Sequence, residues 1–408
     1  MASPLNAGRR AAWLLGGAGL ALLLPWRSID LAASRLFYRP GTAGGPWQPA
    51  EIPWRLLGGV TPVVAVGLAL FGVALLLRSV LSRSGEHRSV RPGLVVLLGL
   101  LLGPGLLVNA IGKDHWHRPR PRQTEGLGGD FDYVAPLDVG PAGKSFPCGH
   151  ASVGFACAAI GMALAARRPR AARRWFAASL LLGTILGLGR VATGAHFVSD
   201  VVWAGLFTYA ALWVVALLVR PERAGAAALR QASATWPRPV RALATVGVLL
   251  LATAAGAFFV PFRRDLPPEP IAGDLERGVT WRVRIEVEVG HARIILDPDN
   301  AFLREAHYDG FGLPGGRLDE ATRLDPAAHA LTTRLRPRGR FADLEGVATY
   351  RVPKALVGAL EVDVRDGMLT VENLVGAGPI PEIDCRIRKG ALRLRGEVRR
   401  DQVRLLPR

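Results

Sequence analysis

The sequence predicts an all-α transmembrane helical bundle, six core helices plus a seventh linking helix, followed by a small all-β extracytoplasmic domain. Three observations predict it. Apolar runs long enough to enter or cross a bilayer recur up to about residue 262. Beyond Arg263 they stop, and short stretches alternate apolar and charged residues with period two. The charge is divided in the same way. From Arg263 onward 25 Lys and Arg face 23 Asp and Glu, against 26 and 10 before it, so almost all of the net +18 lies among the apolar runs. The expected boundaries are 1–240 for the bundle, 241–262 for the linking helix and 263–408 for the β-rich domain.

Seven segments carry the bundle: 11–26, 54–77, 93–111, 150–166, 175–190, 198–219 and 242–261. Arg9-Arg10 ahead of Ala11–Leu24 reads as the flank of an uncleaved first span, because no small-x-small cleavage site follows. The segments near 150–166 and 175–190 are short and rich in Gly, Ala and Ser, which lets helix backbones approach closely. Arginines cluster before the first span and between the second and third, fourth and fifth, and sixth and seventh. All four clusters fall on one side, which the positive-inside rule makes cytoplasmic. The β-rich region then lies outside, at the periplasmic face of an inner membrane. The basic excess sits in membrane loops with no aromatics interleaved on a soluble module, so nucleic acid is not an expected partner. Cys148, Cys157 and Cys385 form neither a disulfide framework nor a zinc pattern.

In the tail, Val283, Ile285, Val287 and Val289 alternate with Arg282, Arg284, Glu286 and Glu288. Leu360, Val362 and Val364 repeat the pattern before a turn signal at Asp366-Gly367, with Leu369 and Val371 beyond it; Ile383, Cys385 and Ile387, then Leu392 and Leu394, continue it. The Gly-, Pro- and Arg-rich stretch 313–340 reads as loop. His291, His307 and His329 are scattered and read as surface or packed residues. No motif here carries chemistry, and binding of cell-envelope material is the expectation for this domain.

One outside loop breaks the charge rule. Between the third and fourth spans stand Lys113, His115, His117, Arg118, Arg120, Arg122 and Lys144, and the neighbouring outside loop holds Arg190, His196 and Asp200. Lys113, Arg120, His150, Arg190, His196 and Asp200 therefore emerge at one membrane face although they are distant in sequence. Ionisable residues at helix ends facing a bundle mark a functional site. Their types suit a phosphate: Lys and Arg give charge-assisted donors, Gly149 permits close backbone approach, and the helix beginning near His150 can add amide donors. Of two histidines beside such cations, one can attack phosphorus while the other protonates the leaving oxygen. Asp200, four residues after His196, can orient its ring.

Lys113-x6-Arg120-Pro121, Pro147-Cys148-Gly149-His150 and Gly189-Arg190-x5-His196-x3-Asp200 together resemble the three motifs of the type 2 phosphatidic acid phosphatase (PAP2) superfamily. The resemblance covers about residues 50–220. It implies a metal-independent, cofactor-free membrane lipid phosphatase. His196 would be the nucleophile that forms a phosphohistidine, Asp200 its orienting group and His150 the general acid. Lys113, Arg120 and Arg190 would bind the phosphoryl oxygens with the backbone at Cys148 and Gly149, and Arg118 would be an auxiliary contact. Cys148 and Gly189 stand where the family usually has serine, and a thiol donates more weakly than a hydroxyl. The implied substrate is a phosphorylated membrane lipid of the undecaprenyl diphosphate, lipid A phosphate or phosphatidate kind.

Other readings compete. A cysteine phosphatase loop needs an arginine six residues after Cys148, where Gly154 stands. A metal site on His115, His117, His150 and His196 lacks carboxylates at suitable spacing and sits among cations. Vanadium haloperoxidases share the motifs but are soluble. A phosphotransferase using the same phosphohistidine, or an inactive membrane anchor displaying the β-rich domain, remain as alternatives.

Overall fold

A helix satisfies its own backbone hydrogen bonds, which is why apolar runs in this chain fold as helices rather than as open strands. The computed structural model describes residues 4–40, 47, 52–81, 90–129, 131–141, 143–165, 168–219, 260–271, 279–298, 302–312, 315–374, 380–396 and 398–407. Contacts divide the chain into two compact units. One is helical, built from residues 1–140 and 144–257; the other is β-rich, from Phe258 to Arg408 with Pro141–Gly143.

In the helical unit, α1 (Pro4–Leu23) and α2 (Trp26–Arg35) meet at an angle of 79°. Pro25 at the junction has no N–H to continue the ladder, and the Trp26 indole donates back to the Ala21 carbonyl at 2.6 Å. Then come α3 (Ile52–Leu81) and α4 (Arg91–Leu100), which runs on in π-helical geometry through Leu101–Gly112 into the short α5 (Lys113–Trp116). Pro104 interrupts regular bonding inside that stretch, and the Asn109 amide donates to its carbonyl at 2.7 Å. After a long loop follow α6 (Gly149–Ala156), α7 (Ala158–Leu164), α8 (Pro169–Ala192) and α9 (Val198–Val219).

Among the described residues four helices are long and apolar enough to cross a membrane: Val60–Ser79, Arg91–Gly112, Pro169–Ala192 and Val198–Val219. The expected first span is the bent α1–α2 pair, which adds a fifth if the pair is one span. The expected fourth is the shorter Gly149–Leu164, broken at Cys157. The expected seventh, 242–261, lies outside the described residues except for its last two positions, which begin a strand. Glycines permit the tight helix packing: a Cβ on Gly154 would stand 2.6 Å from Gly183 Cα, and one on Gly183 would overlap the Phe155 ring.

The β-rich unit is a ten-stranded sheet. Strands β2 (Trp281–Val289) and β3 (His291–Asp297) pair one after the other, in parallel, along β8 (Val357–Asn373), and β8 pairs in parallel with β9 (Glu382–Gly396) along its length. Ala359 sits opposite Glu382 and Asn373 opposite Gly396. Only residues 374–381 lie between the two strands, too few to return along a straight strand of that length at roughly 3.5 Å per residue. Each strand must therefore turn back on itself midway. The corner is marked by Gly290, Gly367 and Gly390, at φ +112°, +151° and +135°. The buried positions change parity there, from Val283, Ile285 and Val287 to Ala292, Ile294 and Leu296, and from Leu360, Val362 and Val364 to Leu369 and Val371. The unit is thus a stack of parallel coils, and Asp366-Gly367, read in the sequence as a turn, is a coil corner.

A further coil comes from β6 (Ala330–Arg338), parallel to β2, and β7 (Phe341–Pro353), parallel to β3. At the other end β10 (Val403–Leu405) adds to β9. Antiparallel strands β5 (Arg317–Asp325), β4 (Leu303–Gly312) and β1 (Val260–Pro270) flank β6 and β7. The expectation of loop over 313–340 is corrected: β5 and β6 occupy most of it. Leu331, Thr333 and Leu335 supply a buried alternating face there, and Arg317 and Arg338 both pair with Asp319 outside. Of the scattered histidines, His291 bonds Thr370 at 2.9 Å, His307 bonds Asp265, and His329 packs edge-on against Trp281.

Candidate active site

Three separated segments are tied together by backbone hydrogen bonds. The Ser145 amide donates to the Arg118 carbonyl at 2.9 Å, the Cys148 amide to Asp200 at 3.1 Å, and the Arg122 amide to Gly194 at 3.1 Å. The local causes are legible. His117 ends α5 in the left-handed region at φ 47°, and Pro121 holds Arg120 before it extended. Gly112 packs so closely on Pro147 that a Cβ would stand 2.6 Å from the proline ring, and a Cβ on Gly149 would stand 2.6 Å from the Asn109 oxygen. The loop is thereby pressed onto the end of the π-helical stretch, and α6 starts there.

His196 is buried, and its Nδ1 lies 2.5 Å from the Ser145 carbonyl oxygen and 3.5 Å from Asp200 Oδ2. A carbonyl only accepts, so Nδ1 carries the proton and the lone pair of the ring is on Nε2. Asp200 is fully buried. Its Oδ2 accepts from Ser145 Oγ at 2.5 Å and from the Phe197 amide at 2.7 Å, while Oδ1 pairs with Arg118. Asp200 thus meets His196 directly at 3.5 Å and also reaches it through Ser145, a residue the sequence reading did not single out.

Arg118 spends its donors inside the protein. Nη1 bonds Ser199 Oγ at 2.8 Å and Asp200; Nη2 bonds Asp30 at 2.9 Å and Tyr133 at 3.1 Å; Nε bonds the Val134 carbonyl at 2.9 Å. The guanidinium carbon lies 4.6 Å from the centre of the Phe197 ring. This arginine is a structural hub. Burial, the largest influence, opposes its charge, but Asp200 and Asp30 outweigh it and hold the guanidinium above its ordinary value. Burial, with Asp30 beside it, also drives the Tyr133 phenol well above its usual range.

Lys113, Arg120 and His150 are buried and Arg190 is half-buried. Cys148 is the residue ahead of α6, in extended conformation, with its side chain fully buried. Burial pushes its thiol up to about 11, against the opposing pull of the Ala151 amide, Arg190 and Lys113. The charges of Arg190, Asp200 and Lys113 therefore all reach the turn that carries Cys148-Gly149-His150. Asp30 was missed as well. The signal was present, since it is the one acidic residue in the first fifty. Among the described residues no group of three or more His, Cys, Asp or Glu is arranged to hold a metal ion.

Residues 93–224 match the family model described as the PAP2 superfamily. The chain is 42% identical over 127 residues to the lipid A 4'-phosphatase of Francisella tularensis subsp. novicida (strain U112), a match covering 30% of this chain and 56% of that protein. It is 41% identical over 125 residues to the lipid A 4'-phosphatase of Rhizobium leguminosarum, covering 29% and 53%. The chain spans about half the length of the curated relatives it matches. Among solved structures, the first transmembrane PAP2 type phosphatidylglycerolphosphate phosphatase from Bacillus subtilis aligns with a TM-score of 0.34 at 22% identity, over 52% of this chain and 94% of that one.

Proposed function

We propose, from the premise that residues 93–224 are a PAP2 superfamily domain, that this chain is a membrane phosphatase for a phosphorylated lipid. The observation that carries the reading is the bond from His196 Nδ1 to the Ser145 carbonyl, with Asp200 behind it. It favours the tautomer whose lone pair is on Nε2, which supports Nε2 as the nucleophile.

In this reading Nε2 of His196 attacks phosphorus in line with the lipid oxygen. The P–O bond to the lipid breaks and the P–N bond of a phosphohistidine forms. His150 donates a proton to the departing lipid alcohol. It then takes a proton from water, whose oxygen attacks phosphorus, expels His196 and releases inorganic phosphate. Lys113, Arg120 and Arg190 hold the phosphoryl oxygens, and their positive charge stabilises the transition state. The amides following Cys148 at the start of α6 add donors to the same anion. Arg118 serves here through Asp200 rather than by touching phosphate. No step uses a metal.

The relatives named lipid A 4'-phosphatase favour a phosphate monoester on a lipid A-type glycolipid among the candidate substrates. A site at the helix ends admits such a head group while the acyl chains stay in the bilayer. The arginine distribution favours a site and β-rich unit on the periplasmic side of an inner membrane, where that unit is suited to meeting cell-envelope material. The test is phosphate release by the purified full chain from lipid A, phosphatidate and undecaprenyl diphosphate, with and without chelator. Release from lipid A that survives chelation, together with an acid-labile phosphoryl adduct lost in His196→Gln, is the expected result. Release confined to preparations holding an acceptor lipid would replace hydrolysis by transfer. Equal activity in His196→Gln would end the reading.

A further inference from the structure

We propose that Asp30, on α2 and outside the segment that matches the family, is a positioning residue that sets the geometry of His196 through a buried clamp with Arg118. Its kinetic consequence rests on the phosphatase reading above; its geometric consequence does not.

The clamp is built from a fully buried carboxylate with both oxygens engaged. Asp30 Oδ2 accepts from Arg118 Nη2 at 2.9 Å, from the Tyr133 hydroxyl at 2.8 Å and from Ser199 Oγ at 2.5 Å; Oδ1 accepts from the Ser199 amide at 2.9 Å. Two routes then lead from Asp30 to Asp200. One runs along the chain, because Asp30 fixes the amide and hydroxyl of Ser199, the residue next to Asp200 in the first turn of α9. The other runs through the guanidinium, whose Nη1 bonds both Ser199 Oγ and Asp200. From Asp200 the order passes to Ser145 Oγ at 2.5 Å, and from the Ser145 carbonyl to His196 Nδ1 at 2.5 Å.

The charge of Asp30 matters as well as its shape. Arg118 stands between two carboxylates, one on α2 and one on α9, and their opposing pulls hold it in place. With Asp30 neutral, the whole guanidinium charge turns toward Asp200, whose carboxylate is drawn toward Arg118 and away from Ser145. The Ser145 peptide then loses the bond that aims its carbonyl at His196. A buried ion pair is poor evidence for stability, because desolvation offsets most of the attraction. Holding one geometry is the better account of why two acids and an arginine are sequestered here. Packing of α2 alone would predict a less stable protein in which His196 is held as before.

The test uses the full chain in lipid nanodiscs with 15N-labelled histidine. Eight histidines give few signals, and the exchange-protected Nδ1–H of His196 is the one absent from His196→Gln. In Asp30→Asn that signal is expected to broaden or move, and in Ser199→Ala, which removes one link of the clamp and keeps the Asp30 charge, to move less in the same direction. An unchanged signal in folded Asp30→Asn overturns the proposal; if that variant does not fold, an unchanged signal in Ser199→Ala overturns it. With a lipid phosphate as substrate, kcat of Asp30→Asn is expected to fall on the order of 10–100-fold, the loss typical of removing a group that orients a working histidine, at nearly constant KM. Unchanged kcat in an active protein also overturns it. A wild-type chain that releases no phosphate, but whose His196 signal still responds to Asp30→Asn, refutes the phosphatase reading and leaves the clamp standing.

Discussion

At the scale of single residues, the proposed chemistry rests on a histidine whose Nδ1 meets a carbonyl at 2.5 Å and a carboxylate at 3.5 Å. Ser145→Ala keeps that carbonyl and removes the hydroxyl that bonds Asp200 at 2.5 Å. It is expected to lower kcat by roughly ten- to a hundredfold, less than His196→Gln, which should cost about a thousandfold or more; steady-state phosphate release measures both. Cys148 makes a different prediction. It occupies the N-cap position in extended geometry, where serine is preferred over non-capping residues by about 1 kcal/mol. Cys148→Ser should raise the melting temperature and leave activity equal or higher. Because burial lifts the thiol to about 11, it stays protonated below that pH, and alkylating reagents at pH 7 to 8 should leave phosphate release by the native protein unchanged. The charged motif residues were legible in the sequence because cations and histidines stand out on a loop that the arginine distribution assigns to the translocated side. Ser145 and Asp30 were not. A serine is ordinary in a loop, and Asp30 gains its meaning only when the bend between α1 and α2 brings it to Arg118.

At the scale of elements, helix packing depends on missing side chains. Gly154 and Gly183 let α6 and α8 meet backbone to backbone. Gly154→Ala should therefore destabilise the helical unit by about 1–3 kcal/mol through overpacking, read as an earlier thermal transition in detergent. In the β-rich unit the corner glycines are stricter. A Cβ on Gly367 would overlap the Gly290 carbonyl, and its φ of +151° is one that side chains rarely adopt. Gly367→Ala should abolish cooperative unfolding of that unit. Helix positions were legible because apolar runs of span length have few other fates. The break at Pro25 and the π-helical stretch were not, since both follow from local bonding that hydropathy does not register. The alternation of the β-rich unit was also legible, down to its parity change at Gly367. A change of face reads equally well as a hairpin or as a corner, however, and only the parallel register to β2, β3 and β9 decides.

At the scale of the molecule, each unit carries its own core, so residues 258–408 should fold without the helices. Circular dichroism of that fragment should give a β spectrum and one thermal transition. Its outer face bears cross-strand ion pairs, among them Arg334–Glu286 at 2.5 Å, Arg336–Glu288 at 2.8 Å and Arg404–Asp384 at 2.7 Å. Partial burial, the largest single influence on Glu286, raises it, yet the bonds from Arg334 and Arg284 together hold it below its ordinary 4.5. A depressed carboxylate contributes stability above its unfolded value and loses it as pH falls through the folded one. The fragment's melting temperature should therefore drop as pH is lowered below about 4.5, and thermal scans across an acid series measure this. The parallel coils have one more consequence. The coil built on β8 pairs only with the coil on either side of it, β2–β3 and β9, as in a stack of rungs. Duplicating the rung that contains β8 would lengthen the stack by about 4.8 Å and leave every other rung with neighbours of the kind it has now. The reach of this unit is thus a quantity that inheritance or engineering can adjust in discrete steps.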